Sequence, residues 1–426
     1  MSEPAEVVLD GRNRQAERVA WIFTTWVLSR LLLILVSRDR GWYAFQDDPF
    51  DLSMFPDWGR AFASGSGHVP LRDGPWEYPA GAAVVFVLPA LLAGVTYSLG
   101  FVGLMLAGDA LFLLTLTVWG LRRGRLGGAW LWCAVVPLLG PVALTRYDVL
   151  PTLTAVAGIA LAGSVPLAAG ALLALGGSLK LWPLLLLPLA AALLPGARRL
   201  VTGAAGLSVL VLVVAGLYGY TGQLLSFLSY QRDRGLEVES LAAFPLLLAR
   251  LRGDRAAHVF FGFGSYQIDG THAALLGALA TTGVAAVLLA VAVLAWRARR
   301  AGRLGTDPLL CLAALMVAGL LCFDKVLSAQ YPLWLAGLIC LGLCTRQRTL
   351  LPTVPLLCLV LVLTQLVYPL LIQDVVHART RGIVILGLRD LALIALTGQL
   401  VWLAVRVTQR SIAPTPAPTR AVARAG

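Results

Sequence analysis

The chain has 426 residues, of which 58 % are hydrophobic and only 13 % charged, with a mean hydropathy of +0.81. A soluble domain carries roughly 25 % charged residues, so these values exclude a soluble globular protein and point to an all-α polytopic membrane protein. The net charge of +12 does not mark a nucleic-acid partner. Its arginines collect in short turns between apolar runs: Arg122, Arg123 and Arg125; Arg198 and Arg199; Arg297, Arg299, Arg300 and Arg303; Arg346 and Arg348; Arg406 and Arg410. That is the pattern of cytoplasmic loops. Cys133, Cys311, Cys322, Cys340, Cys344 and Cys358 lie in or beside apolar runs. Their spacing fits neither a disulfide framework nor a metal site, and they read as small packing residues.

A spanning helix needs about 20 mostly apolar residues. Residues 1–17 form a mixed-charge segment expected in the cytoplasm, and the run at 18–37 lacks the small-residue pattern of a cleavable signal. Further spans are expected over 79–97, 99–121, 126–144, 200–220, 271–296, 307–323, 329–345, 350–372 and 383–407. Between 149 and 195 the runs 149–164, 166–179 and 181–195 are shorter and punctuated by Pro151, Pro166, Pro183 and Pro188. They read as three short spans or as two with a broken helix, which membranes tolerate only where backbone is buried or lines a cavity. The total is about 12 spans, a membrane domain over 18–407 with no internal repeat and no appended soluble domain. Placing the later arginine turns in the cytoplasm puts 221–270 outside, and 38–78 with it if the N-terminus is cytoplasmic. The turn 122–125 does not fit strict alternation. The tail 408–426, rich in Pro and Ala, is expected to be disordered and cytoplasmic.

Polar residues in so apolar a chain mark candidate sites. Residues 41–79 combine Asp47, Asp48, Asp51, Asp57, Asp73 and Glu77 with Trp42, Tyr43, Trp58, Trp76 and Tyr78. Such a mixture suits a wet interfacial loop. It equally suits sugar handling, where a carboxylate takes a hydroxyl proton and flat rings lie against a pyranose. Ionisable residues within spans cost about 2.5–3.5 kcal/mol each at the bilayer centre, so they usually face a cavity or a partner. Arg146–Tyr147–Asp148 heads one run, Lys180 sits in a Gly-rich one, Asp324–Lys325 ends another, and 229–240 carries Gln231, Arg232, Arg234, Glu237, Glu239 and Ser240. Each has a plain structural reading: Arg146 pairing with Asp148, Lys180 snorkelling to an interface, and two solvated turns. Taken together, the cations could hold a lipid-linked phosphate opposite the acidic loop.

Six stretches, in order, resemble the polyprenyl-phosphate-mannose-dependent α-mannosyltransferases of glycosyltransferase family 87, within the GT-C superfamily. They are DLSMF at Asp51 with Trp58 following; His68 to Pro70 through EYP at Glu77; RYD at Arg146 with Pro151; KLWP at Lys180; RGLEVES at Arg234; and KVLSAQY at Lys325. The sequence departs from the family's pattern at Ala80 and Ala329, where prolines are usual. The resemblance implies a GT-C fold with a catalytic aspartate in its first external loop, at Asp51, with Asp57 the nearest competitor. It implies inverting sugar transfer from a polyprenyl-phosphate donor to a glycolipid or glycan hydroxyl, at the extracytoplasmic side of the plasma membrane. Lys180, Lys325, Arg146, Arg232 and Arg234 are then the donor-phosphate candidates. Trp58, Glu77, Tyr78, Asp148, Glu239, Gln330 and Tyr331 are the sugar- or acceptor-binding candidates. No metal or cofactor is expected. Arabinofuranose in place of mannose, a lipid-linked-sugar transporter and a non-catalytic assembly subunit are the alternatives.

Overall fold

The computed structural model describes residues 3–38, 49–345 and 348–409, with side chains described for 13–36, 54–345 and 348–409. The expectations for Trp42, Tyr43, Asp47, Asp48, Arg346 and the tail from 410 lie outside the described residues. Among the described residues, seven helices are long and apolar enough to cross a membrane: Asn13–Val36, Tyr97–Leu121, Ala197–Leu217, Ala273–Arg300, Thr306–Phe323, Leu351–Val376 and Thr380–Gln409. Many of their large side chains face outward, Leu210, Leu279 and Ile394 among them, as expected when lipid replaces water. This is an all-α, multi-pass membrane protein.

Seven further apolar helices among the described residues are shorter, including Ala80–Ala90, Gly127–Leu139 and Pro332–Leu343. A 13-residue helix is about 20 Å long, less than the roughly 30 Å hydrocarbon layer. Proline and glycine set their ends. Gly140, at φ +82°, closes Gly127–Leu139, and Pro166 opens Pro166–Leu179. The runs between 149 and 195 are three separate helices, Val149–Leu161, Pro166–Leu179 and Trp182–Leu193.

Thr306–Phe323 and Pro332–Leu343 form the centre of the bundle, every residue of the second being buried. Pro166–Leu179 packs against Ala197–Leu217 through reciprocal glycines. A Cβ at Gly170 would strike the Leu200 carbonyl, and one at Gly203 the Leu167 carbonyl. Small residues allow this close approach, which lipid alone does not drive.

Two buried ion pairs that the sequence reading did not single out lie within the long helices. Arg30 Nε donates to Asp109 at 2.8 Å, the Trp26 and Trp132 indoles each donate to the same carboxylate at 2.7 Å, and Arg30 Nη1 reaches the Cys133 carbonyl at 2.9 Å. Arg389 lies 2.8 Å from Asp390.

The segment 221–270 also departs from an all-helical expectation. It holds β1 (Leu236–Glu237), β2 (His258–Gly262) and β3 (Ser265–Asp269), antiparallel in the order β1-β3-β2. Phe263 and Gly264, at φ +54° and +73°, make the two-residue turn that suits a twisted hairpin. Leu236, Leu247 and Ile268 of this unit share a small core with Val375 and Leu386, which fixes β1 and its charged neighbours against the bundle.

Candidate functional site

A cavity of about 830 Å³ is lined by residues from widely separated parts of the chain. Helix Pro49–Ser64 contributes Met54 and Trp58. The segment after it, 68–79, contributes Glu77 and Tyr78, and is held by local chemistry. Asp73 accepts the Val69 amide at 2.8 Å, and the Ser226 hydroxyl bridges the Trp76 amide and carbonyl at 3.0 and 3.2 Å. Tyr78 meets Trp58 and Tyr147 edge-on, with centroids 6.0 and 5.3 Å apart.

Lys180 enters from another side because helix Pro166–Leu179 ends there and the lysine backbone turns extended. Its Nζ donates to both Asp148 oxygens, at 2.7 and 2.9 Å, and Trp334 Nε1 donates to the same carboxylate at 2.7 Å. The rings of Tyr331, Tyr147 and Trp334 lie 4.7, 5.1 and 5.5 Å from the ammonium, within cation–π range. Lys180 is therefore caged rather than snorkelling. Asp148 lies behind it and does not line the cavity.

Arg146, Arg234, Glu237 and Glu239 line the cavity with Gln330 and Tyr331. Arg234 donates to Ser265 Oγ at 2.8 Å and stands 3.9 Å from Glu237, while its Nε has no hydrogen-bond acceptor. Burial pushes the carboxyls here upward: Glu77 above its usual range, Asp324 to about 6 and Glu239 to about 8. Arg234 beside Glu77 and Arg389 beside Glu239 pull the other way without overcoming it.

Of the site residues read from the sequence, Trp58, Glu77, Tyr78, Arg146, Lys180, Arg234, Glu239, Gln330 and Tyr331 share this one cavity. Lys325 does not line it. Its Nζ donates to the Arg232 and Arg234 carbonyls, at 2.7 and 2.6 Å, and faces a second cavity. Arg232 lines neither; its exposed guanidinium pairs with Asp233 at 2.9 Å. Asp51 belongs to helix Pro49–Ser64, but its side chain lies outside the described residues; positions 54 and 58, three and seven further on, line the cavity. Asp57 is 72 % exposed and paired with Arg60 at 2.5 Å, away from the lining. The sequence reading passed over Trp334, Tyr368 and Gln373, which also line it; nothing sets the first two apart inside apolar runs, and Gln373 falls just past the end of one.

Among the described residues, no group of three or more His, Cys, Asp or Glu side chains is placed to hold a metal ion. The chain matches no family model, no curated protein and no solved structure.

Proposed function

We propose that the chain is a membrane glycosyltransferase of GT-C architecture, moving a sugar from a polyprenyl-phosphate donor to a hydroxyl of a glycolipid or glycan. Mannose is the preferred sugar and arabinofuranose the alternative. The reaction is placed at the extracytoplasmic face of the plasma membrane. An architecture of about 12 spans asks most of the shorter apolar helices to complete crossings. The observation that supports this reading is the 830 Å³ cavity itself, where Arg146, Lys180 and Arg234 share the lining with Trp58, Tyr78 and Tyr331. Cations suit a phosphate and flat rings suit a pyranose face.

In the proposed step the acceptor oxygen attacks the anomeric carbon as its bond to the phosphate oxygen breaks. Configuration inverts, and polyprenyl phosphate leaves with the bond's electron pair. Asp51, at the start of the helix bearing Met54 and Trp58, takes the acceptor's proton. A phosphate leaving group needs counter-charge rather than a proton, and Arg146, Arg234 and the caged Lys180 supply it.

The test is reconstitution with polyprenyl-phosphate mannose and a glycolipid acceptor, following label into a new glycosidic bond. Asp51→Asn is expected to fold and bind donor but lose about 10²–10⁴-fold in turnover. Full turnover in that variant would remove Asp51 from the role. Movement of donor across the bilayer with no bond formed would replace the enzyme by a transporter.

A further inference from the structure

Arginine gathers at the end of the bundle remote from the 830 Å³ cavity. Span Thr306–Phe323 runs into Asp324, which lines that cavity. Span Ala273–Arg300 packs antiparallel to it, for a Cβ at Gly283 would meet Phe323 and one at Gly319 would meet Val287. Arg300 lies about 25 Å further along its helix than Gly283, so Arg297, Arg299, Arg300 and Arg303 occupy the far end. There Arg299 Nη1 donates to the Ala192 carbonyl and the Gly305 amide to the Leu193 carbonyl, both at 3.0 Å. Helix Trp182–Leu193 packs against both Ala273–Arg300 and Ala197–Leu217. Its end therefore brings the turn carrying Arg198 and Arg199 beside the turn 300–305.

Among the described residues none of Arg198, Arg199, Arg297, Arg299, Arg300 and Arg303 makes an ion pair. Asp307 is the sole acid in the stretches 192–203 and 297–309. All of these arginines are exposed except Arg303, which is half-buried. A short way along each span the outward side chains turn apolar, with Val201 exposed on one and Leu289 and Val293 on the other. Trp296 stands at the border, exposed, with the Arg300 guanidinium 4.1 Å over its ring. Such a ring belongs at the headgroup level of a membrane. A soluble acidic partner would answer the cations alone; a lipid answers the cations and the aliphatic faces together.

We propose that the junction of these two turns holds the headgroup of an anionic diacyl phospholipid. The phosphate sits between the Arg198, Arg199 pair and the Arg299, Arg300 pair, where guanidiniums offer it paired N–H donors. The acyl chains run along the spans against Val201 and Val293. The site lies at the opposite end from the cavity and does not depend on the transferase reading.

The experiment places the full chain in phosphatidylcholine nanodiscs and titrates in phosphatidylglycerol carrying a photoreactive group on an acyl chain, with labelled residues located by mass spectrometry. Label is expected over 201–209 and 289–296. Arg198→Gln with Arg199→Gln, and separately Arg299→Gln with Arg300→Gln, are each expected to weaken the affinity read from the titration about 30-fold. The four side chains are exposed, so both variants should keep the wild-type melting midpoint; if one does not fold, the other carries the test. Arg252→Gln with Arg255→Gln removes the same charge from exposed positions just before β2 and should leave the label unchanged. Equal label from a phosphatidylcholine probe, affinity unchanged in a folded variant, or an equal fall in the Arg252, Arg255 control overturns the proposal. Displacement by inorganic phosphate but not by chloride of equal ionic strength also overturns it, in favour of a site for a free anion.

Discussion

Asp109 shows how much a single carboxylate can hold together. It takes Arg30 and Trp26 from one helix and Trp132 from another, so its loss strands a guanidinium inside the bundle. Asp109→Asn is expected to destabilise the protein by about 3–5 kcal/mol, and the double change Arg30→Met with Asp109→Leu to recover much of that. Unfolding in detergent reads both, and an unaffected single variant would contradict it. Glu239 makes a pH-dependent prediction. Burial raises its carboxyl from 4.5 to about 8, so the folded chain favours the neutral acid. That advantage is complete below pH about 4.5 and is lost as pH rises through about 8. Glu239→Gln should therefore flatten the stability curve over this window and match or exceed the wild type above it; parallel curves would contradict it. Lys180 was legible in the sequence because a lone ammonium in a Gly-rich apolar run demands a partner. Its partner was not, since Asp148 lies 32 residues away and was read beside Arg146 instead. Arg30 and Asp109 lie 79 residues apart, each a single charge in a long apolar run, and nothing in the sequence joins them.

The short helices were legible as elements, and the reason is backbone chemistry. Pro166 and Gly196 bracket Pro166–Leu179 and the helix that follows it, Trp182–Leu193, where apolar content alone would have joined them. Composition could not say which glycines carry the packing. Gly203 faces the Leu167 carbonyl whereas Gly206, one turn on, has open space. Gly203→Ala is expected to cost about 1–3 kcal/mol by overpacking, and Gly206→Ala to be neutral or stabilising by about 0.5–1 kcal/mol. Equal effects on the melting midpoint would contradict the reciprocal contact. The three strands escaped the sequence reading because the first is two residues long and the others five. Such segments show too little alternation to stand out beside helices of more than twenty residues.

For the whole molecule, the legible part was that polar residues scattered over more than two hundred positions should converge. Nine of the site residues so read line one cavity, while Lys325 and Arg234 mark a second beside it. Asp148 lies behind the lining and Arg232 outside it, because sequence order carries no depth. A bound-state structure of the protein with polyprenyl-phosphate mannose tests the convergence most directly. The account predicts phosphate oxygens within hydrogen-bonding distance of Arg234, the sugar ring against Tyr78 or Trp58, and Asp51 facing the anomeric carbon. Donor lodged on the outer surface of the bundle, with the 830 Å³ cavity left to water, would contradict it.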